Sequence, residues 1–221
     1  MNKNNILQCK NRHEFRQWLM EHHDGETECW VEVRRGRPDD ESVFWYLDAV
    51  EEALCFGWID STHRLIEGRR MQRFTPRKKN VFVKPKKQSE ARFNSALARK
   101  GRMKSNSPWT ELNKERVRRL ERLDMMTDAG RRVLPPMGQR SFKFDPDIVA
   151  AMKSACCWTK FRQFPPLNQR IRAYNIAFYK QRDRAMYEQT LAHLIEETKI
   201  GRMFGEWNDY GRLLYMPCDD K

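Results

Sequence analysis

The feature that most constrains the fold is a change in hydrophobic period at Gly57. In residues 42–56 the apolar side chains recur at helical spacing, as Trp45/Tyr46, Ala49/Val50 and Ala53/Leu54. Ser42 can cap this helix and Gly57 can end it. Residues 58–61 are too apolar for a solvated loop, so they predict a strand. The segment therefore predicts a helix that leads directly into a sheet.

Three further segments predict a second helix and the rest of a small sheet. Residues 11–22 repeat apolar side chains at i, i+3 and i+4, with Asn11 as the N-cap. Residues 29–34 alternate apolar and polar side chains, which is typical of a half-buried strand. Residues 64–75 predict a β-hairpin that turns at Gly68.

The second half of the chain has helical patterns. Helices are predicted from Ser107 to about Leu123, from Thr127 to Leu134, from Asp145 to Ala155, and over about 167–180 and 184–199. The predicted fold class is therefore α+β, with a small antiparallel sheet packed by a helix and followed by a helical C-terminal half.

The positive charge is concentrated in one segment. The chain has 43 Lys and Arg against 30 Asp and Glu, a net charge of +13. Residues 76–106 hold eleven of these cations and a single acid, so the rest of the chain is nearly neutral. We divide the chain into an α+β part at 1–78, a basic insert or loop at 79–106 and a helical part at 107–221. We expect the helical part to pack with the first part as one domain.

Cys55, Asp60 and His63 form the candidate catalytic set. Cations near Cys55 would favour its thiolate, and His63 could act as a base. The alternative is a buried thiol beside a structural ion pair, because Cys55 falls on the apolar side of its helix. The common nucleotide-binding, hydrolase and zincin motifs are absent, so we favour a protein without enzymatic activity and predict no cofactor.

A second set could bind an anionic ligand. Its members are Trp58, Asp60, Arg73, Arg77 and Lys78. Three cations around a strand end can hold phosphate or carboxylate, which suits the forked geometry of arginine. The alternative is solvated charge at a strand edge, which discourages edge pairing.

The basic insert supplies candidate nucleic-acid contacts. They are Lys84, Lys86, Lys87, Arg92, Arg99 and Lys100. Aromatic residues lie between these cations, and that mixture suits phosphate contacts combined with base stacking. The alternative is a solvated loop without a partner.

The cysteines and the N-terminus indicate the compartment. The six cysteines contain no C-x-x-C and no paired zinc-ribbon spacing, so we expect free thiols and no metal site. The first 25 residues lack the apolar core of a signal peptide, which predicts a cytoplasmic protein. No apolar run approaches the ~20 residues of a membrane-spanning helix.

Several segments are similar to one known family. They are Trp30–Val33, Ala49–Ser61, Arg73–Lys78, Ser107–Asn113, Val117, Leu120 and Thr127–Gly130. They resemble the YdeI/OmpD-associated family, also called the bacteriocin-protection family. That family passes almost directly from the Pro-Arg-Lys element to the Trp-x-x-x-Asn element, whereas residues 79–106 intervene here.

The resemblance implies an uncharacterised bacterial protein with a role in stress or in resistance to antimicrobial peptides and bacteriocins. Some family members are predicted to be periplasmic and to associate with a porin, so a protein partner is also implied. A protein of charge +13 repels cationic peptides, so we expect protection to act indirectly or through the acidic helix face of Asp48, Glu51 and Glu52. Binding of nucleic acid or a phosphate ligand, and a thiol-dependent enzyme at Cys55, are the alternatives.

Overall fold

The computed structural model describes residues 5–38, 43–78, 81–83, 102–104, 108–138 and 142–214. It confirms the α+β class. The chain divides into two compact units. The first unit takes Met1–Pro108 and Leu120–Pro136, and the second takes Trp109–Arg119 and Met137–Lys221. Residues 120–136 thus join the sheet-containing unit, although the sequence pattern placed them in the helical part.

The strands and helices follow one another in a simple order. They are β1 (Ile6–Leu7), α1 (Arg12–His22), β2 (Cys29–Glu32), α2 (Tyr46–Cys55), β3 (Trp58–Ile66), β4 (Arg69–Pro76), β5 (Val81–Val83), β6 (Arg102–Lys104), α3 (Glu111–Arg122), α4 (Asp128–Arg132), α5 (Pro146–Ser154), α6 (Trp158–Phe161), α7 (Pro166–Tyr179) and α8 (Arg184–Lys199).

The first unit contains a four-stranded sheet in the order β1-β2-β4-β3. β4 pairs antiparallel with both β2 and β3, and the short β1 pairs in parallel with β2. The predicted hairpin is confirmed, with Glu67 and Gly68 at its turn. Their φ angles are 50° and 77°, and two consecutive positive φ values are typical of a two-residue type I′ hairpin turn.

The predicted helix at residues 11–22 is also confirmed. The side chain of Asn11 accepts hydrogen bonds from the backbone N–H groups of His13 and Glu14, each at 3.0 Å. Phe15 is fully buried, and its ring centroid lies 5.3 Å from that of Phe74 on β4. This aromatic contact packs α1 onto the sheet.

Helix α2 begins at Tyr46, four residues later than its predicted cap at Ser42, which lies outside the described residues. Arg34 explains the late start. Its N–H donates to the carbonyl of Phe44 at 3.0 Å, and its carbonyl accepts from the N–H of Tyr46 at 2.8 Å. These bonds hold the segment around Trp45 extended, as a parallel bridge to Arg34, so the helix cannot start earlier.

The basic insert contains a two-stranded antiparallel ribbon, with one strand near each of its ends. β5 pairs with β6, with Val81 opposite Lys104 and Val83 opposite Arg102. The six candidate nucleic-acid residues between Lys84 and Lys100 lie outside the described residues. Their proposed contacts therefore stay a prediction.

The second unit is helical. Asn113 N–H donates to the hydroxyl of Thr110 at 3.1 Å, so Thr110 caps α3. The predicted cap at Ser107 lies outside the described residues. α5 and α8 carry their caps at Asp145 and Asp183, and Gly201 follows the end of α8 with a φ of 77°. The core of the unit is built from Ile148, Met152, Cys157, Phe161, Ile176, Tyr187 and Leu194.

Candidate functional site

The candidate nucleophile Cys55 is a buried thiol at the end of α2. Burial and then Glu52 raise its pKa, and Arg16 lowers it too little to compensate, so the pKa is about 12. A thiol with this pKa is protonated at neutral pH, whereas a nucleophile needs the thiolate. Within the described part of the chain, no hydrogen bond joins Cys55 to Asp60 or His63. The geometry therefore favours the packing role of Cys55.

The carbonyl of Cys55 is the point where two distant segments meet. The N–H and the hydroxyl of Thr127 both donate to it, at 3.2 and 2.6 Å. Gly130 lies so close that an added Cβ would be 2.3 Å from the same oxygen. Residues 49–61 and 127–130, both of which carry the family resemblance, thus lock the end of α2 onto α4. This contact also explains why residues 120–136 belong to the first unit.

The acidic face of α2 is not available to a partner. Glu51 and Glu52 have 0% and 1% of their surface exposed. Glu52 pairs with Arg12 at 2.5 Å and with Arg16 at 2.7 Å, and Arg12 also lies 3.3 Å from Asp48. The expectation that this face contacts cationic peptides is therefore wrong. α1 places two arginines against α2, and these compensate the buried carboxylates.

Two of the predicted anion-binding arginines have protein partners. Arg73 Nε donates to Glu28 Oε2 at 2.7 Å. Arg77 is 4% exposed. Its Nη1 donates to the carbonyl of Pro108 at 2.9 Å, and its backbone N–H donates to the carbonyl of Gly57 at 2.9 Å. Arg77 thus connects the end of β4 to Gly57 and Pro108. Arg73 and Arg77 bind different protein groups and do not form one anion-binding site.

The other predicted ligand-binding residues also have separate surroundings. Trp58 is buried, and its Nε1 donates to the carbonyl of His23 at 3.2 Å. Lys78 is exposed after the end of β4. Asp60 accepts a hydrogen bond of 2.6 Å from the Tyr46 hydroxyl. The ring of Tyr46 in turn contacts Arg35, which lines a cleft.

The first unit contains a cleft of about 810 Å³ beside the ends of β1 and β2 and the β3–β4 turn. Its charged lining consists of Lys10, Glu32, Arg34, Arg35 and Arg70. Its apolar lining consists of Leu7, Val33, Val43 and Phe44. Among these described residues four cations face one carboxylate, and Glu32 itself lies 3.8 Å from Arg69. The cleft, which we call the basic cleft, is therefore electropositive.

One guanidinium of the basic cleft is held in place. Arg35 Nη2 donates to Gln72 Oε1 at 2.8 Å, and its guanidinium carbon lies 4.8 Å from the ring centroid of Tyr46. Gln72 is fully buried and donates to the carbonyl of Thr62 at 3.2 Å, which orients its oxygen toward Arg35. Asp60 fixes Tyr46 through the hydroxyl bond. The predicted site residue Asp60 thus supports Arg35 through a tyrosine.

The other three cations have no such support. Lys10, Arg34 and Arg70 are exposed, and within the described part of the chain their side chains make no hydrogen bond or ion pair. Burial, and to a smaller extent Arg35 and Arg70, lower the pKa of His63. The sequence signal for this site is a pair of arginines beside a glycine at each of two strand ends. Only the pairing of β2 with β4 brings Arg34 and Arg35 close to Arg70.

Other kinds of site have no support in the described residues. No group of three or more His, Cys, Asp or Glu side chains in this part of the chain is arranged to hold a metal. The cysteines described there, from Cys9 to Cys157, are free thiols. No described helix is both long and apolar enough to cross a membrane.

Comparison with known proteins gives one match. Residues 7–106 match a family model described as a domain of unknown function (DUF8412), which covers less than half of the chain. The matched stretch includes the residues that line the basic cleft. No curated protein and no solved structure matches the chain. The matching family model names no activity.

Proposed function

We propose that the first unit is a non-enzymatic binding module that holds a phosphate-bearing small molecule in the basic cleft. The observation that carries the proposal is Arg35, a guanidinium fixed by Gln72 and Tyr46 among three cations without protein partners. A guanidinium that is already oriented loses less side-chain freedom when it binds phosphate, and its fork matches two phosphate oxygens.

The size and walls of the basic cleft narrow the ligand class. A volume of about 810 Å³ is within the range of ~300–1,000 Å³ that small-molecule sites occupy. Leu7 and Val43, which are partly exposed, supply apolar surface beside the cations. A ligand with one phosphate group and one planar or apolar group, such as a mononucleotide, matches both parts of this lining.

Calorimetry with AMP tests the proposal, with adenosine as the ligand that lacks the phosphate. We expect AMP to bind, adenosine to bind at least tenfold more weakly, and affinity to fall with salt. Arg35→Gln should weaken AMP binding at least tenfold, because a hydrogen bond to a charged group contributes about 1.5–3 kcal/mol. Arg70→Gln should also weaken binding, and because Arg70 makes no side-chain hydrogen bond in the described part of the chain, this variant should leave the fold intact.

Arg132→Gln is the matched control, because Arg132 is exposed on α4 and does not line the basic cleft. It changes the net charge by the same amount. Equal AMP affinities for Arg35→Gln, Arg70→Gln and Arg132→Gln would contradict binding in the cleft. Equal binding of adenosine and AMP would contradict recognition of phosphate.

Nucleic acid is a second candidate ligand, carried by the basic insert. The concentration of eleven cations in residues 76–106 favours it, and the β5–β6 ribbon brings the two ends of that segment together. Filter binding of RNA and duplex DNA should be lost when residues 84–101 are replaced by a short Gly-Ser linker. Equal retention of nucleic acid by the intact and shortened chains would argue against this candidate.

A role in antimicrobial-peptide or bacteriocin resistance follows from the YdeI/OmpD-associated resemblance. Its support is that two segments of the resemblance, 49–61 and 127–130, contact each other at Cys55. Because Glu51 and Glu52 are buried, such a role would be indirect. A deletion strain should be more sensitive than its parent to polymyxin or a bacteriocin, and equal sensitivity would count against the role.

A further inference from the structure

The second unit contains a pocket of its own, with a volume of about 410 Å³. Residues of α7 and α8 line it together with Thr110 and Phe204. Its aromatic lining includes Phe178, Tyr179 and Phe204, and its polar lining includes Arg172 and His193. The residues of this pocket all belong to the second unit, so it is independent of the basic cleft.

Arg172 lies in this pocket with its orientation already set. Its Nη2 donates to the backbone carbonyls of Phe204 and Gly205, the latter at 3.0 Å. Its guanidinium carbon lies 4.4 Å from the ring centroid of Phe204. Two carbonyls and a ring face thus hold the guanidinium, and all of these contacts are with uncharged groups.

The charge of Arg172 lacks a paired carboxylate. Within the described part of the chain no carboxylate forms an ion pair with it, and its Nε is buried without a hydrogen-bond acceptor. Burial lowers its pKa, and the field of Glu206 only partly opposes this effect. The carboxylate of Glu206 instead accepts from the backbone N–H groups of Asn208 and Tyr210, each at 3.0 Å. A half-buried cation without an ion-pair partner is costly unless an anion joins it.

The neighbours of Arg172 indicate what kind of anion fits. The ring of His193 lies 4.4 Å from that of Phe204 at an interplanar angle of 62°, so Phe204 contacts both residues. Phe178 lines the same pocket and is 40% exposed, and the guanidinium carbon of Arg182 lies 3.9 Å from its ring centroid. One guanidinium balances a single negative charge, and aromatic walls favour a planar apolar group.

We propose that this pocket binds an aromatic carboxylate. The carboxylate forms an ion pair with the Arg172 guanidinium, and the ring lies against the wall formed by Phe178, Tyr179 and Phe204. Among the described residues that line this pocket, Arg172 and His193 are the basic side chains, whereas four cations line the basic cleft. Arg182 contacts Phe178 but is not among the lining residues. The smaller number of lining cations favours a singly charged anion in this pocket.

Fluorine NMR with 4-fluorobenzoate tests the site, with 4-fluorobenzamide as the neutral isostere. We expect 4-fluorobenzoate to bind the full chain, and 4-fluorobenzamide to bind at least tenfold more weakly. Arg172→Gln should weaken 4-fluorobenzoate binding at least tenfold. Arg184→Gln is the matched control, because Arg184 pairs with Glu188 on α8 and does not line the pocket. It should bind like the original chain.

A second variant keeps the test decisive if Arg172→Gln disturbs the fold. Asn175 is exposed and lines the pocket, so Asn175→Trp fills the space without removing a contact of Arg172. It should also abolish binding of 4-fluorobenzoate. The proposal fails if 4-fluorobenzoate does not bind, if the benzamide binds equally well, or if the folded Asn175→Trp variant binds like the original chain.

Discussion

Replacing Gly130 with alanine tests whether the contact between α2 and α4 stabilises the first unit. The added Cβ would lie 2.3 Å from the carbonyl oxygen of Cys55 and 2.9 Å from that of Leu54. Both are backbone atoms at the end of a buried helix, so neither can rotate away as a flexible side chain would. The two helices must therefore separate by several tenths of an ångström or more.

The magnitude follows from three effects. Overpacking a buried contact costs about 1–3 kcal/mol. Separating the helices also weakens the two hydrogen bonds from Thr127 to Cys55, each of which contributes about 0.5–1.5 kcal/mol. The higher helix propensity of alanine offsets about 1 kcal/mol of these losses in stability. The free energy of unfolding of the first unit should therefore fall by about 2 kcal/mol, which shifts a urea midpoint by about 1 M when the slope is near 2 kcal/mol/M.

Urea denaturation followed by circular dichroism measures this shift. Gly25→Ala is the matched control, because an added Cβ at Gly25 meets nothing within 4 Å, and its midpoint should stay close to that of the original chain. If the two units unfold in separate transitions, only the transition of the first unit should move. A Gly130→Ala variant as stable as Gly25→Ala would refute the reasoning, because it would show that α4 is not held against Cys55.

Three further predictions concern buried or perturbed groups. Glu52→Gln should lower the free energy of unfolding by about 2 kcal/mol, because it removes the buried carboxylate charge that Arg12 and Arg16 share and leaves Arg12 paired with Asp48, whereas the exposed Glu21→Gln should change little. Cys55, with a pKa of about 12, should react with iodoacetamide at pH 7.5 far more slowly than the exposed Cys156, as peptide mass spectrometry can measure. His63 has a lowered pKa in the folded state, so the unfolded state binds more protons and stability should fall as pH drops below about 6.5, less so in His63→Gln.

Each of these has a clear contrary result. Equal urea midpoints for Glu52→Gln and Glu21→Gln would show that the arginine network adds no stability. Alkylation of Cys55 as fast as that of Cys156 would support the thiol-dependent alternative. A stability of His63→Gln that falls with pH as steeply as in the original chain would assign the effect to another group.

The sequence alone determined the elements that depend on near neighbours. The Asn11 cap bonds groups two and three residues away, and the positive φ values at the Gly68 turn arise within the hairpin itself. The helix starts predicted at Thr127 and Asp145 follow the same rule, because each side chain accepts a hydrogen bond from a backbone N–H two or three residues further on. Such interactions span at most one helical turn, so the order of residue types reveals them directly.

The tertiary structure decided everything that depends on segments far apart in the chain. Arg34, twelve residues before the first residue of α2, set where that helix begins. The arginines of α1 turned an apparently solvated acidic face at Glu51 and Glu52 into a buried ion network. The basic cleft exists only because the pairing of β2 with β4 places Arg35 close to Arg70. Burial and charge compensation depend on the three-dimensional surroundings of a residue. The periodicity of the sequence predicts helices and strands, but it does not show which distant residues surround a given side chain.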